Sequence, residues 1–553
     1  MAIESSSTQQ TVPEESSQSS TQSPTDAAIA LTETIRSTLG PNGMDKMLID
    51  DRGRVVVTND GASILDRLAI TDPVGQVLET MAQRHQQAVG DGTTTALLLV
   101  GELLETAQSL RSDGLHPTTI IDGYYQATMR ARERLSEYAH SIDPDDALHS
   151  VATTAVTGRW DDQSTDRFGS LALSALQAVD FASSRLAIRA YPGGELRDSH
   201  VIDGLLVDLD SSSTSIDLLD ATGFRTSSEP RIALIGSALT VAAPDCVETL
   251  SVSDAEQATA FRHHDRQVRD GIVERLRAVG ATVVFCQQSI DQGIRTKLAA
   301  EGILAVERTR QDEFDAIARS TGATVVQSVD ELTPGAVGRA GSVRQQTFGA
   351  TDTLTIAGGP DCSRATLLLR GGTPHVADEM ARILRTSTAV VEQAATDGAV
   401  VPGGGATAIA VTRDLSAYAE GVSGREQLAV RGFAEAVEGI PRVLAANAGA
   451  SPVDALATLR TRHDAGATTV GVDSSGSTRE MIDAGVVEPR TVFDRCLVTA
   501  LEATATLLRI DSVSVSEQSP ADANDSQTGH SHGSHAGHDH GSHAGGYPWA
   551  LSH

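Results

Sequence analysis

The sequence predicts a multidomain α+β protein, in which a mostly helical domain is interrupted by an inserted, layered α/β domain. Three observations indicate this fold class. At 553 residues, of which 40% are apolar, the chain exceeds a single hydrophobic core. Apolar residues recur at helical spacing near both ends of the chain. In the middle, helix and strand patterns alternate instead, which is typical of a layered α/β domain.

The helical domain is predicted from two separate parts of the chain, about residues 25–143 and 396–513. The first part contains a β-hairpin, with strands at residues 47–49 and 54–58, and apolar-periodic helices that include one at 96–110. A further helix is predicted at residues 120–138, and Leu497, Leu501, Thr504 and Leu508 step at helical spacing in the last helix. Both parts also carry glycine-rich turns of one kind, so we expect the two parts to meet in space.

The inserted domain is predicted from three successive helix-to-strand units. In the first, an apolar stripe from Val268 to Val279 ends at Gly280, and a buried strand follows at residues 282–285. The same step recurs at residues 291–306 and 311–326. Repeated helix–strand alternation predicts a sheet covered by helices.

Both termini have compositions that differ from the rest of the chain. Residues 1–24 are rich in Ser, Thr, Gln and Pro and lack a basic start and an apolar segment, so we expect a disordered arm and not a signal peptide. Residues 514–553 form a tail in which His530–His543 alternates imidazole with glycine and serine. This tail could bind Ni²⁺, Zn²⁺ or Cu²⁺, or it could be a flexible, solvated segment whose metal affinity is incidental.

The charge balance excludes several kinds of partner. A net charge of −30 argues against nucleic acid, whose phosphates would be repelled. Lysine occurs only at Lys46 and Lys297, and an acidic surface of this kind suggests a protein that works in concentrated salt. The chain has no apolar window long enough for a membrane span, so no membrane partner is expected. Four widely spaced cysteines are typical of a cytoplasmic protein: Cys246, Cys286, Cys362 and Cys496.

The most informative motif is Gly90-Asp91-Gly92-Thr93-Thr94-Thr95, which precedes an apolar helix. Glycines allow the backbone to approach a ligand, and the N-terminus of a helix attracts anionic oxygens. Asp91 is a suitable ligand for Mg²⁺, which prefers a carboxylate together with phosphate oxygens and water. The motif is not a Walker A loop. Taken alone, it could also be an ordinary capped helix start.

Three further glycine turns are of the same type. Residues 38–46 place glycines on either side of Pro41, where a helix ends and a loop is free to wrap a ligand. The predicted hairpin leads to Asp60, a second candidate acidic group, followed by Gly61. Residues 397–407 supply a glycine-rich turn into an apolar helix, which suits a base and a ribose.

In this order and spacing, the motifs resemble those of the group II chaperonins, the thermosome subunits of archaea, here of halophilic type. The resemblance extends from about residue 25 to 513 and weakens between residues 208 and 256. It is carried by Thr38–Met47, Thr58–Ala62, Gly90–Thr95, Leu367–Thr373, Gly403–Ala406 and Gly485–Pro489.

The resemblance implies a chaperonin fold with named domains. Residues 25–143 and 396–513 would form a mostly helical equatorial domain that binds ATP and Mg²⁺. Residues 144–207 and 358–395 would form a small α/β intermediate domain that acts as a hinge. Residues 208–357 would form a layered α/β apical domain that grips unfolded proteins and carries a helical protrusion near residues 244–264.

The resemblance also implies the roles of individual residues in the site. Asp91 would hold Mg²⁺, Asp60 would lie beside the γ-phosphate, and Asp473 would lie near the adenine. The residues that would line the phosphates are Thr38, Leu39, Gly40, Pro41, Gly61, Gly92, Thr93, Thr94 and Thr95. Those that would contact the base and ribose are Gly403, Gly404 and Glu488.

Two positions depart from the pattern of the family. Where the family has an aspartate that polarises the attacking water, this chain has Thr386, whose hydroxyl cannot act as a general base. Losing such a group typically removes about 10²–10⁴ in rate, so we expect slow hydrolysis, which Asp60 could partly rescue. Arg159 stands where the family has a lysine, which keeps the charge but changes its geometry.

Two functions remain open from the sequence. The first is an ATP-driven folding machine, in which subunits form a double ring that encloses non-native client proteins. The second is a nucleotide-binding subunit with impaired hydrolysis, assembled with paralogues that carry the missing aspartate. Other chaperonin subunits and unfolded proteins are the expected partners in both cases.

Overall fold

A computed structural model of the chain describes residues 23–49, 53, 55–68, 70, 72–141, 146–158, 160–209, 226–241, 255–360 and 364–510. Within these ranges the helices are α1 Pro24–Arg36, α2 Gly61–Arg67, α3 Pro73–Val89, α4 Thr93–Ser112, α5 Pro117–Tyr138, α6 Asp146–Thr154, α7 Asp162–Gln177, α8 Ala255–Ala278, α9 Gln292–Ala300, α10 Gln311–Thr321, α11 Pro374–Asp397, α12 Ala406–Gly421, α13 Glu426–Val437, α14 Gly439–Asn447, α15 Pro452–Asp464 and α16 Arg490–Leu508.

The strands in the same ranges belong to several separate sheets. They are β1 Lys46–Ile49, β2 Val55–Thr58, β3 His140–Ser141, β4 Leu186–Pro192, β5 His200–Asp203, β6 Leu205–Asp208, β7 Thr226–Ser228, β8 Arg231–Ile235, β9 Val283–Cys286, β10 Leu304–Val306, β11 Val325–Val326, β12 Gly338–Arg339, β13 Ser342–Phe348, β14 Thr351–Ala357, β15 Ala365–Gly371, β16 Ala399–Pro402, β17 Val470–Val472, β18 Thr478–Glu480 and β19 Val487–Pro489.

The two helical parts of the chain share one hydrophobic core, as the sequence predicts. Buried side chains from α1, α3, α4 and α5 pack with those of α12, α13 and α16. The ring of Tyr124 on α5 meets the ring of Phe433 on α13 edge-on, with centroids 5.6 Å apart. The predicted hairpin is present as the antiparallel pair of β1 and β2. Segments more than 250 residues apart in sequence therefore contribute to one buried core.

A second core lies beside a three-stranded sheet in the order β4-β15-β5. The buried faces of α6, α7 and α11 contribute to this core. The long helix α11 has clear local signals at both ends. Thr373 caps its N-terminus with Pro374 in the first turn, and Gly398 ends it in the left-handed conformation at φ +68°.

The middle of the chain contains the three predicted helix-to-strand units. They are α8 with β9, α9 with β10, and α10 with β11, and their strands lie in a parallel sheet in the order β10-β9-β8-β11. The last predicted strand is shorter than expected, since only Val325 and Val326 pair. Local sequence patterns do not predict the antiparallel sheet β6-β14-β13-β7, which shares a buried core with β8, β9 and β10 of the parallel sheet.

Several predictions concern residues outside the described ranges. They include nearly all of the N-terminal arm, Arg159, the first part of the predicted protrusion, Cys246, Cys362 and the histidine-rich tail. Cys286 and Cys496 are described, buried and free of disulfide bonds. Within the described part of the chain, no helix carries an apolar stretch long enough to cross a membrane.

Candidate active site

A cavity of about 580 Å³ lies where the helical core meets α11. Most of the site residues predicted from the sequence line it, although they come from distant parts of the chain. These lining residues are Thr38, Leu39, Gly40, Pro41, Asp60, Asp91, Gly92, Thr93, Thr94, Thr95, Thr386, Gly404, Asp473 and Glu488. Two others, Gly61 and Gly403, are not among the lining residues; a Cβ on Gly61 would lie 3.0 Å from Thr94 Oγ1, and one on Gly403 would lie 3.0 Å from Val486 Cγ1.

The N-terminus of α4 opens into this cavity. Gly92 is its N-cap at φ +79° and supplies no side-chain hydrogen bond to the first turn. The first backbone bond of the helix runs from the Ala96 amide to the Gly92 carbonyl, so the amides of residues 93–95 precede the helical ladder. An uncapped helix N-terminus of this kind favours an anionic ligand. This geometry differs from the alternative of an ordinary capped helix start.

A buried histidine supports the loop that carries Asp91. The Nε2 of His85 lies 2.9 Å from the Asp91 carbonyl oxygen, and its Nδ1 lies 3.1 Å from the Thr499 hydroxyl. Burial lowers the pKa of His85 to about 4, against the raising effect of the Asp91 carbonyl, so the ring is neutral near pH 7. Because a carbonyl only accepts, the ring proton lies on Nε2. His85 therefore fixes the backbone beneath the proposed magnesium ligand.

A second helix N-terminus, that of α12, faces the same cavity. Gly404 and Gly405 have φ values of +61° and +76°, and Gly405 is an N-cap without a side-chain bond. A Cβ on Gly404 would lie 2.6 Å from the Val472 carbonyl, so only glycine fits this turn. The cavity thus presents two uncapped helix N-termini to one ligand.

The loop at residues 38–41 is tied to the C-terminal part of the chain. The Asn447 side-chain amide donates to the Leu39 carbonyl at 2.8 Å, and that of Asn42 donates to the Ser474 carbonyl at 2.6 Å. Gly158 packs directly against this loop, since a Cβ on Gly158 would lie 1.7 Å from the Pro41 carbonyl oxygen. A segment near the second core therefore touches the candidate phosphate loop.

The carboxylates of the cavity fit a hard divalent cation. Burial, followed by the charge of Asp91, raises the pKa of Glu488 to about 7. A bound cation would reduce the repulsion between these two neighbouring carboxylates. Mg²⁺ fits such a place because it prefers oxygen ligands. Asp60 caps α2 and accepts hydrogen bonds from the Ser63 amide and hydroxyl through a single oxygen, Oδ2. Asp473 accepts hydrogen bonds from the Ser475 and Ser477 amides, which hold the turn after β17.

Sequence reasoning missed two arginines that line the cavity, Arg382 and Arg479. Arg382 precedes Thr386 by one turn of α11, and residues four apart share a helix face. The four-residue spacing from Thr386 could therefore have identified Arg382 as a candidate site residue from the sequence. Arg479 lies on β18, and its Nη1 is 3.9 Å from Asp473 Oδ2. Its approach depends on the pairing of β17 with β18, which local sequence patterns do not reveal.

Comparison with known proteins identifies the family. Residues 31–518 match the TCP-1/cpn60 chaperonin family. The chain is 38% identical over 498 residues to "Thermosome subunit" of Methanopyrus kandleri, covering 88% of this chain and 90% of that protein. It is also 38% identical over 494 residues to "Thermosome subunit alpha" of Halobacterium salinarum and to "Thermosome subunit 1" of Haloferax volcanii, covering 88% of this chain and 87% of each. The chain belongs to the TCP-1/cpn60 chaperonin family, as a group II chaperonin.

Proposed function

We propose that this chain is an ATP-driven subunit of a double-ring chaperonin, which encloses non-native proteins and assists their folding. The observation that carries the proposal is the convergence of Asp60, Asp91 and Gly404 on one cavity. Refolding of a chemically denatured client by the purified assembly, with and without ATP and Mg²⁺, tests this function. A yield that does not depend on ATP would contradict it.

The cavity residues have distinct roles in this proposal. The amides and hydroxyls of residues 93–95 and the loop at 38–41 bind phosphate oxygens, and Gly404 admits the base and ribose. Asp91 holds Mg²⁺, which neutralises phosphate charge when bound. Asp60 lies at the terminal phosphate and orients water. Thr386, which is half-buried and lines the cavity, supplies no base, so turnover is slow.

We also propose the division into domains predicted from the sequence, and the separate hydrophobic cores support it. The core shared by α1–α5 with α12–α14 and α16 supports the equatorial domain, and the core beside β4-β15-β5 supports the intermediate hinge. Two adjoining cores support the apical domain. The proposed boundaries are 25–143 and 396–513 for the equatorial domain, 144–207 and 358–395 for the intermediate domain, and 208–357 for the apical domain. Function in concentrated salt and a cytoplasmic location stay predictions.

The alternative of a nucleotide-binding subunit with impaired hydrolysis is not favoured by the comparisons, in which the similar proteins are named as thermosome subunits. The mass of the native complex from its source tests the point. A ring built from this chain alone requires this chain to hydrolyse ATP for itself. A mixed ring would allow paralogues to supply that activity.

We expect glycine at position 92 to be required for nucleotide binding. In Gly92→Ala, the added Cβ would lie 2.7 Å from Cys496 Sγ and 2.9 Å from Val492, at a positive φ. The variant should lose about 1–2 kcal/mol in free energy of unfolding from the backbone alone, and the displaced loop should bind ATP more weakly. Gly114→Ala is the matched control, because φ is +86° and nothing lies within 4 Å of the added Cβ. Denaturant unfolding and calorimetric ATP titration measure both effects; equal ATP affinity in the two variants would contradict the expectation.

An exposed apolar face on the β1–β2 hairpin supports contact between subunits. Cross-strand pairing aligns Met47 with Val57 and Ile49 with Val55, which places all four side chains on one face. They are 47–67% exposed. Contiguous apolar surface of this kind marks interaction sites. We propose that a neighbouring subunit of the ring covers this face.

Placing a carboxylate on this face should weaken assembly. We expect Val57→Asp to reduce the association of neighbouring subunits at least about tenfold, because burying an unpaired charge costs more than the ~1.4 kcal/mol of a tenfold change. Val453→Asp is the control, since Val453 is 76% exposed and lies on α15 and not on the hairpin. Sedimentation velocity in native salt measures the assembly. Intact rings in Val57→Asp would exclude the hairpin from the interface.

A further inference from the structure

Acidic side chains outnumber basic ones among the described residues that line the cavity. Its carboxylates are Asp60, Asp91, Asp162, Asp473 and Glu488. Among the described lining residues, Arg382 and Arg479 are the cationic side chains. Arg479 is about half exposed and lies beside Asp473. Arg382 lines the same cavity as Asp60 and is affected by its charge. Among the described residues of the cavity, it is therefore the cationic side chain at the end where the proposed function places the terminal phosphate.

The structure holds Arg382 in a defined orientation. Its Nε and Nη2 donate to the two carboxylate oxygens of Glu379, at 2.8 and 2.5 Å, in a bidentate pair. Its side chain is only 25% exposed. Burial opposes its charge, but the hydrogen bonds and charge of Glu379, with the charges of Asp60 and Asp45, hold the pKa of Arg382 above its ordinary value. A guanidinium has five N–H donors, so the pair with Glu379 leaves donors for another ligand.

We propose that Arg382, oriented by Glu379, contacts the terminal phosphate and makes this site select nucleoside triphosphate over diphosphate. The inference rests on the proposed function of the cavity. Arginine matches phosphate oxygens with paired donors, and a terminal phosphate is present in ATP and absent from ADP. Without Arg382, the carboxylate of Asp60 would repel that phosphate, and among the described lining residues no other arginine lies at this end of the cavity. Glu379 is a positioning residue in this arrangement.

Calorimetric titration of the assembled protein with ATP and with ADP, in Mg²⁺ and native salt, tests the proposal. We expect Arg382→Gln to weaken ATP binding about 10–100-fold, as for loss of a hydrogen bond to a charged group, and to weaken ADP binding less than about threefold. Arg385→Gln removes the same charge from an exposed position of α11 outside the cavity, and should leave both affinities unchanged.

The variant Glu379→Gln gives a second test of the proposed contact between Arg382 and the terminal phosphate. This variant keeps the arginine but weakens its anchor, so we expect a smaller loss of ATP affinity, about 3–10-fold, with ADP affinity unchanged. Glu379→Gln also keeps the proposal testable if the Arg382→Gln variant fails to assemble. Equal losses for ATP and ADP, or no loss for ATP, in whichever variant assembles would overturn the proposal. Failure of the natural protein to bind either nucleotide would instead overturn the proposed function, and this inference with it.

Discussion

Replacing Thr386 with aspartate should raise the steady-state rate of ATP hydrolysis by about 10²–10⁴-fold, the usual contribution of a positioned acid–base group. Thr386 lines the cavity and is half-buried, so an aspartate there would face the ligand and remain accessible to water. A carboxylate can accept a proton from the attacking water, whereas a threonine hydroxyl cannot ionise near neutral pH. The substitution adds little volume.

The matched control for this variant is Thr396→Asp. Thr396 lies on the same helix, is exposed and does not line the cavity, so it receives the same added charge away from the ligand. Phosphate release measured in the native salt gives kcat for all three proteins. We expect the control to match the natural chain. If the natural protein already hydrolyses ATP as fast as Thr386→Asp, then Thr386 does not limit the reaction, and another group, such as Asp60, acts as the base.

Replacing Asp91 with asparagine should remove the dependence of nucleotide binding on Mg²⁺. The change keeps the shape of the side chain but removes the charge that makes it a magnesium ligand. Loss of groups that merely orient metal ligands costs about 10–100-fold in metal affinity, so loss of the ligand itself should cost at least about 100-fold. The carbonyl of Asp91 still accepts from the neutral His85 ring, so the loop keeps its support.

The measurement is calorimetric ATP titration in Mg²⁺ and again in excess chelator. The natural protein should bind more tightly with Mg²⁺, and Asp91→Asn should bind equally weakly in both conditions. Asp113→Asn removes the same charge at the opposite end of α4, where Asp113 is the exposed C-cap, and should behave as the natural protein does. Tight, Mg²⁺-dependent binding by Asp91→Asn would mean that a different group, such as Glu488, holds the cation.

Local patterns were sufficient for the elements around the site. The stretch predicted as a helix at residues 96–110 is part of α4, Thr93–Ser112, and the predicted helix at 120–138 is part of α5, Pro117–Tyr138. Both have strong apolar periodicity, and Pro117 lies at the start of α5. The hairpin was predicted because two short apolar runs, Met47–Ile49 and Val55–Val57, flank a polar turn. These signals depend only on residues near one another in sequence.

Long-range pairing set the limit of prediction. The antiparallel sheet β6-β14-β13-β7 joins strands from residues 205–208 and 226–228 to strands more than 100 residues later. Arg479 reaches the cavity because β18 pairs with β17. Gly158 has an ordinary turn signal, and its contact with Pro41 becomes visible only when two distant segments are placed together. Such contacts leave little trace in local hydrophobic spacing.

The sequence by itself determined the family, several of the helices, including α4, α5 and α16, the glycine turns and most residues of the cavity, because each depends on residue type and on short-range spacing. The tertiary structure alone decided that Arg382 and Arg479 line the cavity with Asp60, Asp91 and Glu488, and that Gly61 and Gly403 do not line it. It also decided the environment of each acid, including the burial that raises the pKa of Glu488. The physical reason is that electrostatic interaction depends on distance and burial in the folded chain, which residue order along the sequence does not specify.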